Sequence, residues 1–258
     1  MKRLLLIGLL GTSALMSQSP TIREEQSVIV NGATETWRLE WKTPLKSACG
    51  ADDIYWYTCP CIGFTFGEAG VADLVRISNG REIDRLSLTA LFDENLSVVG
   101  KLAILPRWEP QDGDMKLEGT EELLQRVRSR PVVKVMQFGD YDHDGAATEF
   151  FLQTGSAPCG KLTGVVVGRF RGSNGLRALG TALEPNVPLI LKKEEWEALR
   201  LATGPIRVVD WSCGDHGSDV EIELELDTGP QGISVISRTF ACDDNNGRRV
   251  RLLSEERQ

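Results

Sequence analysis

The chain has 258 residues, with 37 acidic against 29 basic side chains and a net charge of −8. That acidic surplus repels nucleic-acid phosphates and anionic lipid, so neither is an expected partner, whereas divalent cations are natural counterparts. The length suits one large β domain or two smaller ones with an ample core.

The first residues, MKRLLLIGLLGTSALMSQSP, place Lys2 and Arg3 before an apolar run from Leu4 to Leu10, then Thr12, Ser13 and Ala14. This order predicts a secretory signal peptide over residues 1–19, cut after Ala14 or Ser17, with an apolar run too short to cross a bilayer. No later segment approaches the roughly 20 apolar residues of a membrane helix, so no membrane span is expected. The predicted location is secreted or periplasmic. Six cysteines follow the leader: Cys49, Cys59, Cys61, Cys159, Cys213 and Cys242. In an exported chain an even count implies bridges whose connectivity sequence leaves open. Cys213 and Cys242 flank a hairpin and form the first pair expected. Cys49 can reach Cys59 or Cys61 across a short loop.

The predicted elements are mostly strands. TWRLEWK alternates Trp37, Leu39 and Trp41 with Thr36, Arg38 and Glu40, the pattern of a half-buried strand. YTCPCIGFTFGEAG surrounds two cysteines with Tyr55, Trp56, Tyr57, Phe64 and Phe66, read as a small core around bridges. ADLVRISNGREIDRLSL sets Asn79-Gly80 between two strand-like runs, a strong hairpin signal. The Pro-, Gly- and Asp-rich stretch at 106–120 is the expected linker between a β region at 20–110 and a second at 120–258. GTEELLQRVRSRP predicts a short helix with Thr120 as its N-cap, ending before Pro131.

Next comes VMQFGDYDHDGAATEFFLQTG, with Asp140, Asp142 and Asp144 at alternate positions before Gly145. Calcium takes oxygen ligands from alternating positions of a tight loop, and glycine permits the bend. On that spacing Ala146 offers a carbonyl and Thr148 a hydroxyl or bound water. The place where a helix–loop–helix calcium site needs a bidentate Glu holds Phe151, and ATEFFLQTG reads as a strand. Three adjacent carboxylates repel one another unless a cation screens them or they protonate, which favours a cage over a solvated turn.

Those residues resemble the FG-GAP or VCBS-type calcium repeat of integrin-like β-propellers, over about twenty residues. The resemblance implies Ca²⁺ as a structural cofactor, side-chain ligands at Asp140, Asp142 and Asp144, and a carbonyl ligand at Ala146. It departs from the family's pattern at Thr148, where an aspartate is usual, leaving Glu149 as the substitute if the loop distorts. Further copies are too degenerate to imply a full propeller.

Beyond the loop, LTGVVVGRFRGSNGLRALG predicts a strand pair around Asn174-Gly175, and KKEEWEALRLATGP a short helix anchored by Trp196 and Leu199. SDVEIELELDTGPQGISVISRTF predicts a hairpin with Val220, Ile222, Leu224 and Leu226 opposite Glu221, Glu223 and Glu225. His143 and His216 read as turn histidines, since no ligand spacing joins them. No nucleophile elbow appears.

The expected fold is mainly β, a β-sandwich or small irregular propeller-like sheets, with two short helices. The expected function is a non-catalytic binding or structural module for an unidentified protein or glycan ligand, carrying one calcium-stabilised loop. The alternative is a secreted hydrolase acting on carbohydrate or peptide, with calcium as support. A thiol-redox protein built on Cys59 and Cys61 ranks third.

Overall fold

A computed structural model describes residues 19–48, 64, 66–92, 102–157, 161–229, 231–243 and 247–258. Residues 1–18 of the expected leader, Tyr55, Trp56, Tyr57, Cys49, Cys59, Cys61 and Cys159 lie outside them. In chain order the strands are β1 (Thr21–Val30), β2 (Ala33–Trp41), β3 (Lys46–Ser47), β4 (Gly67–Gly70), β5 (Ala72–Ser78), β6 (Arg81–Ser87) and β7 (Ala103–Pro106). After helix α1 (Glu121–Arg128) come β8 (Glu149–Ala157), β9 (Lys161–Gly168), β10 (Arg177–Ala178) and β11 (Leu191–Lys192). Helix α2 (Lys193–Leu201) precedes β12 (Ile206–Trp211), β13 (Val220–Gly229), β14 (Gly232–Cys242) and β15 (Arg249–Arg257). The protein is mainly β with two short helices, and its described strands form four antiparallel sheets. None of the described helices is long and apolar enough to cross a membrane.

Local chemistry sets the hairpins. Asn79 and Gly80 both take positive φ (51° and 73°) and join β5 to β6 with Ser78 opposite Arg81. That is the backbone a two-residue turn needs to match strand twist. Asn31-Gly32 repeats it between β1 and β2 (φ 52° and 79°), a hairpin that the alternation of β2 alone does not reveal. Both helices also sit where their end signals fall. The Thr120 hydroxyl accepts the Leu123 N–H at 3.2 Å, capping α1.

The first sheet runs β1-β2-β5-β6, and Trp37, Leu39 and Trp41 of β2 are all buried on one face. They pack against Phe150 and Leu152 of β8 and Val165 and Val167 of β9, which belong to a second sheet of β8, β9, β10 and β11. The two sheets thus share one core. Val166 points the other way and meets Trp196 and Leu199 of α2 together with Leu224, Leu226, Ile233 and Val235 of the third sheet, β12-β13-β14-β15. A smaller sheet, β3-β4-β7, packs Ala69 and Ile104 on Leu123 and Val127 of α1.

Several acidic residues placed on polar faces by periodicity are buried. Glu40 lies under Arg85, and Glu195 in the first turn of α2 accepts the Lys192 N–H at 2.8 Å. The α2 acidic run is therefore not a uniformly solvated face. Glu35 shares its face with Trp37 and receives a bidentate Arg76 fork at 2.7 and 2.8 Å. Each of these three carboxylates has a hydrogen-bond donor from another strand or from the helix end, which is the condition for burying it at all. In the stretch read as a linker, Asp114 begins a short 3-10 turn and is buried against Arg130. Cys213 and Cys242 form a disulfide, joining the segment after β12 to the end of β14.

Candidate metal centre

The aspartate loop is closed by its own ends. Gly139 and Glu149 pair as an antiparallel bridge, with Gly139 N–H donating to the Glu149 carbonyl at 2.8 Å and Glu149 N–H donating back at 3.3 Å. This closure brings the side chain at the first position of β8 alongside the loop's aspartates. His143 and Gly145 turn the chain with φ of 55° and 92°. Glycine at the second of these adopts a left-handed backbone without a Cβ penalty.

Three carboxylates converge here. One oxygen from each of Asp140, Asp142 and Glu149 lies within 4.8 Å of the other two. Ligands on opposite sides of a calcium ion stand apart by twice the metal–oxygen distance, about 4.6–5.2 Å, so the spread fits one ion. Among the described residues this is the group of three or more potential ligands, and neither histidine is in it. The His143 ring bonds the Arg200 carbonyl at 3.2 Å, while His216 stacks on Trp211 with centroids 5.7 Å apart.

The loop's other predicted residues take different places. Asp144 turns its Oδ1 to the Ala146 N–H at 2.8 Å. Its own N–H donates to Asp140 and Asp142, at 3.0 and 3.2 Å, and Gly145 N–H donates to Asp140 at 3.0 Å. The Arg171 N–H reaches the second Asp142 oxygen at 2.6 Å. A carboxylate has about four lone-pair sites, so these donors preorganise Asp140 and Asp142 and still leave acceptor capacity for a cation.

Thr148 is fully buried, with its hydroxyl between the Glu149 carboxyl and the Arg169 carbonyl, the latter at 2.8 Å. One hydroxyl proton cannot serve two acceptors, so a proton on Glu149 would complete the pair. Burial pushes the Glu149 carboxyl up to about 8, against hydrogen bonds from Thr148 and from the Tyr141 N–H and with the Asp142 and Asp144 charges adding to it. Burial also raises Asp142, partly offset by the Arg171 N–H. In the absence of a cation, therefore, these groups resist ionising together.

Tyr141 fastens the loop to α2. Its hydroxyl donates to Glu197 at 3.0 Å, and its ring meets Trp196 edge to face at 6.4 Å. Sequence spacing pointed to Asp140, Asp142 and Asp144 alike, and the converging group holds the first two of them. Glu149 entered only as a conditional substitute, because its role depends on the bridge to Gly139.

An all-oxygen set suits a hard divalent cation over a softer transition metal. No protein-family model matches the chain, and no curated protein or solved structure is significantly similar to it.

Proposed function

We propose that the protein is an exported, disulfide-bridged β module that binds a protein or glycan partner and uses one calcium ion to hold the 140–149 loop. The carrying observation is the convergence of Asp140, Asp142 and Glu149 within 4.8 Å at the base of a buried strand. Asp142 and Glu149 are 6% and 0% exposed, too enclosed for a substrate to reach, which supports a structural ion over a catalytic carboxylate pair. The Gly-Asp-x-Asp-x-Asp-Gly resemblance supports calcium in particular, and the charge-then-apolar N-terminus supports export.

A ligand that binds only the folded state stabilises it by about 2.7 kcal/mol at a hundred times its Kd, or about 5–11 °C in Tm for a chain of this size. Melting the protein in millimolar calcium and in chelator should show that increment. Glu149→Gln keeps an acceptor for the Tyr141 N–H and removes the charge. The variant should fold and lose the calcium increment. Identical melting curves with and without calcium in the parent protein, together with no heat on titration, would sink the proposal.

A further inference from the structure

Strand β1 is an edge of the first sheet: among the described strands it pairs with β2 alone. The two-residue turn Asn31-Gly32 closes their hairpin, which makes Val30 and Ala33 its last hydrogen-bonded pair. Bonded and non-bonded pairs alternate along an antiparallel ladder, so Val28 and Gln26 also bond to β2, while the N–H and C=O groups of Ser27 and Ile29 point away from it. No hydrogen bond joins those groups to a described residue outside the hairpin. Both residues are exposed, Ile29 at 70%.

The first half of this edge is covered. Glu24 accepts the Val135 N–H at 2.7 Å, Gln26 donates to the Met136 carbonyl at 2.7 Å and Arg23 to the Val133 carbonyl at 3.0 Å, so side chains hold the segment at 133–136 alongside. Past it a cleft of about 600 Å³ opens, lined on one side by Ser27, Ile29 and Asn31 and on the other by Phe138, the turn at 144–147 and Arg169. The Arg169 guanidinium makes no hydrogen bond or ion pair with another described residue, and Glu35, whose carboxylate feels its charge, is held by the Arg76 fork. Asp144, also on the lining, turns one oxygen back to the Ala146 N–H.

Other described edges are less suited to pairing. The ladder of β15 has two register shifts, and those of β6 and β12 have one each, whereas β1 is regular from Glu24 to Val30. Such bulges are among the devices that keep an edge from accepting another strand.

We propose that the open half of β1 binds an extended peptide as an added strand. A row of outward N–H and C=O groups at every second residue is matched by a peptide backbone, with side-chain pockets setting preference. Aliphatic side chains of the peptide lie against Ile29 and Phe138, and an acidic one meets Arg169. From Ser27 to Asn31 is four steps of about 3.3 Å, so the site takes about four or five residues. A second copy docking through its own β1 would bring its β2 alongside, where the 144–147 turn already stands. The inference rests on reading the protein as a binding module, and not on its calcium ion.

The probe is acetyl-Val-Thr-Val-Glu-Val-amide, titrated by calorimetry into the full chain in millimolar calcium. It should bind saturably and slow hydrogen exchange at the Ser27 and Ile29 amides. Two further peptides carry methyl groups on alternate amide nitrogens, one on the odd and one on the even residues. Only one edge of the peptide faces β1, so one of them should lose about tenfold in affinity and the other less than about threefold. Arg169→Gln should weaken the probe roughly threefold and leave a peptide with Gln in place of Glu unaffected. No saturable binding up to about 5 mM overturns the inference. Equal losses for the two methylated peptides, or unchanged exchange at Ser27 and Ile29, overturn it too. A dimer in which those amides are protected without peptide overturns it in favour of a second copy. A calcium increment in Tm without peptide binding rejects the peptide site alone, and peptide binding without that increment rejects the calcium loop alone.

Discussion

Asp114 and Glu149 are carboxyls at zero exposure whose pKa values move in opposite directions, and their partners explain why. Asp114 receives both arms of the Arg130 guanidinium, at 2.6 and 2.7 Å, and the Gln111 N–H at 2.8 Å. The Arg130 hydrogen bonds hold it below the usual carboxylate range in spite of burial. Glu149 has a hydroxyl and one backbone N–H instead, so burial wins. The sign for Asp114 follows from linkage. A folded value below the unfolded one, about 3.9, contributes stability that is complete above that value and lost as pH falls through the folded value. Asp114→Asn should therefore cost about 3–5 kcal/mol at pH 7, the cost of stranding a buried partner. The deficit should shrink by pH 3, where the unfolded parent chain already binds the proton that the folded carboxylate excludes. Urea midpoints at the two pH values measure it, and an equal deficit at both would falsify the assignment.

Among the elements, β9 supports both larger cores, since Val165 and Val167 face one and Val166 the other, as its neighbour β8 does with Phe150 and Phe151. A strand buried on both sides loses the alternation that marks a half-buried strand, so its run of three valines reveals its type but not its central position. Gly164 lets β9 approach β8 at the register shift around Gln153 and Gly155. A Cβ there would lie 2.1 Å from the Leu152 carbonyl oxygen, and the Gly164 carbonyl accepts the Trp196 indole N–H at 3.0 Å. The clash is with backbone, which has no rotamer to retreat into. Gly164→Ala should cost about 3 kcal/mol, at the upper end of overpacking effects, and Gly204→Ala, facing open space, less than about 0.5 kcal/mol. Equal chemical-denaturation midpoints for the two variants would show that the strands can separate to accommodate the methyl group.

Over the whole molecule, charge is distributed as cross-strand networks. On the third sheet Arg238 reaches Glu225 and Glu255, each at 2.9 Å, while Arg249 reaches Glu223 at 2.7 Å. Half-buried pairs at a sheet surface contribute modestly one by one, and these keep the acidic face of β13 from repelling itself. The covalent restraint on that sheet is the Cys213–Cys242 bridge, which spans 29 positions. Chain entropy for such a loop gives about 3–4 kcal/mol. Replacing both cysteines with serine should lower stability by about that amount. Any increment in Tm that calcium produces through the 140–149 loop should remain, because among the described residues that loop and the bridge share no hydrogen-bond partner and distant sites add. Loss of the increment in the double variant would mean that the two regions are coupled.

What the sequence determined by itself was local. The Asn79-Gly80 turn, the Thr120 cap, the alternation of β2 and β13 and the pairing of Cys213 with Cys242 rest on neighbours a few residues apart or on a hairpin that closes between them. Asp140 and Asp142 were legible for the same reason. Only the tertiary structure decided that Glu149 joins them, because a bridge to Gly139 folds the chain back. It also decided that Glu35 and Asp114 are buried, since Arg76 and Arg130 arrive from 41 and 16 residues away. Periodicity reports which face a side chain takes; whether that face meets water depends on what the rest of the chain lays over it.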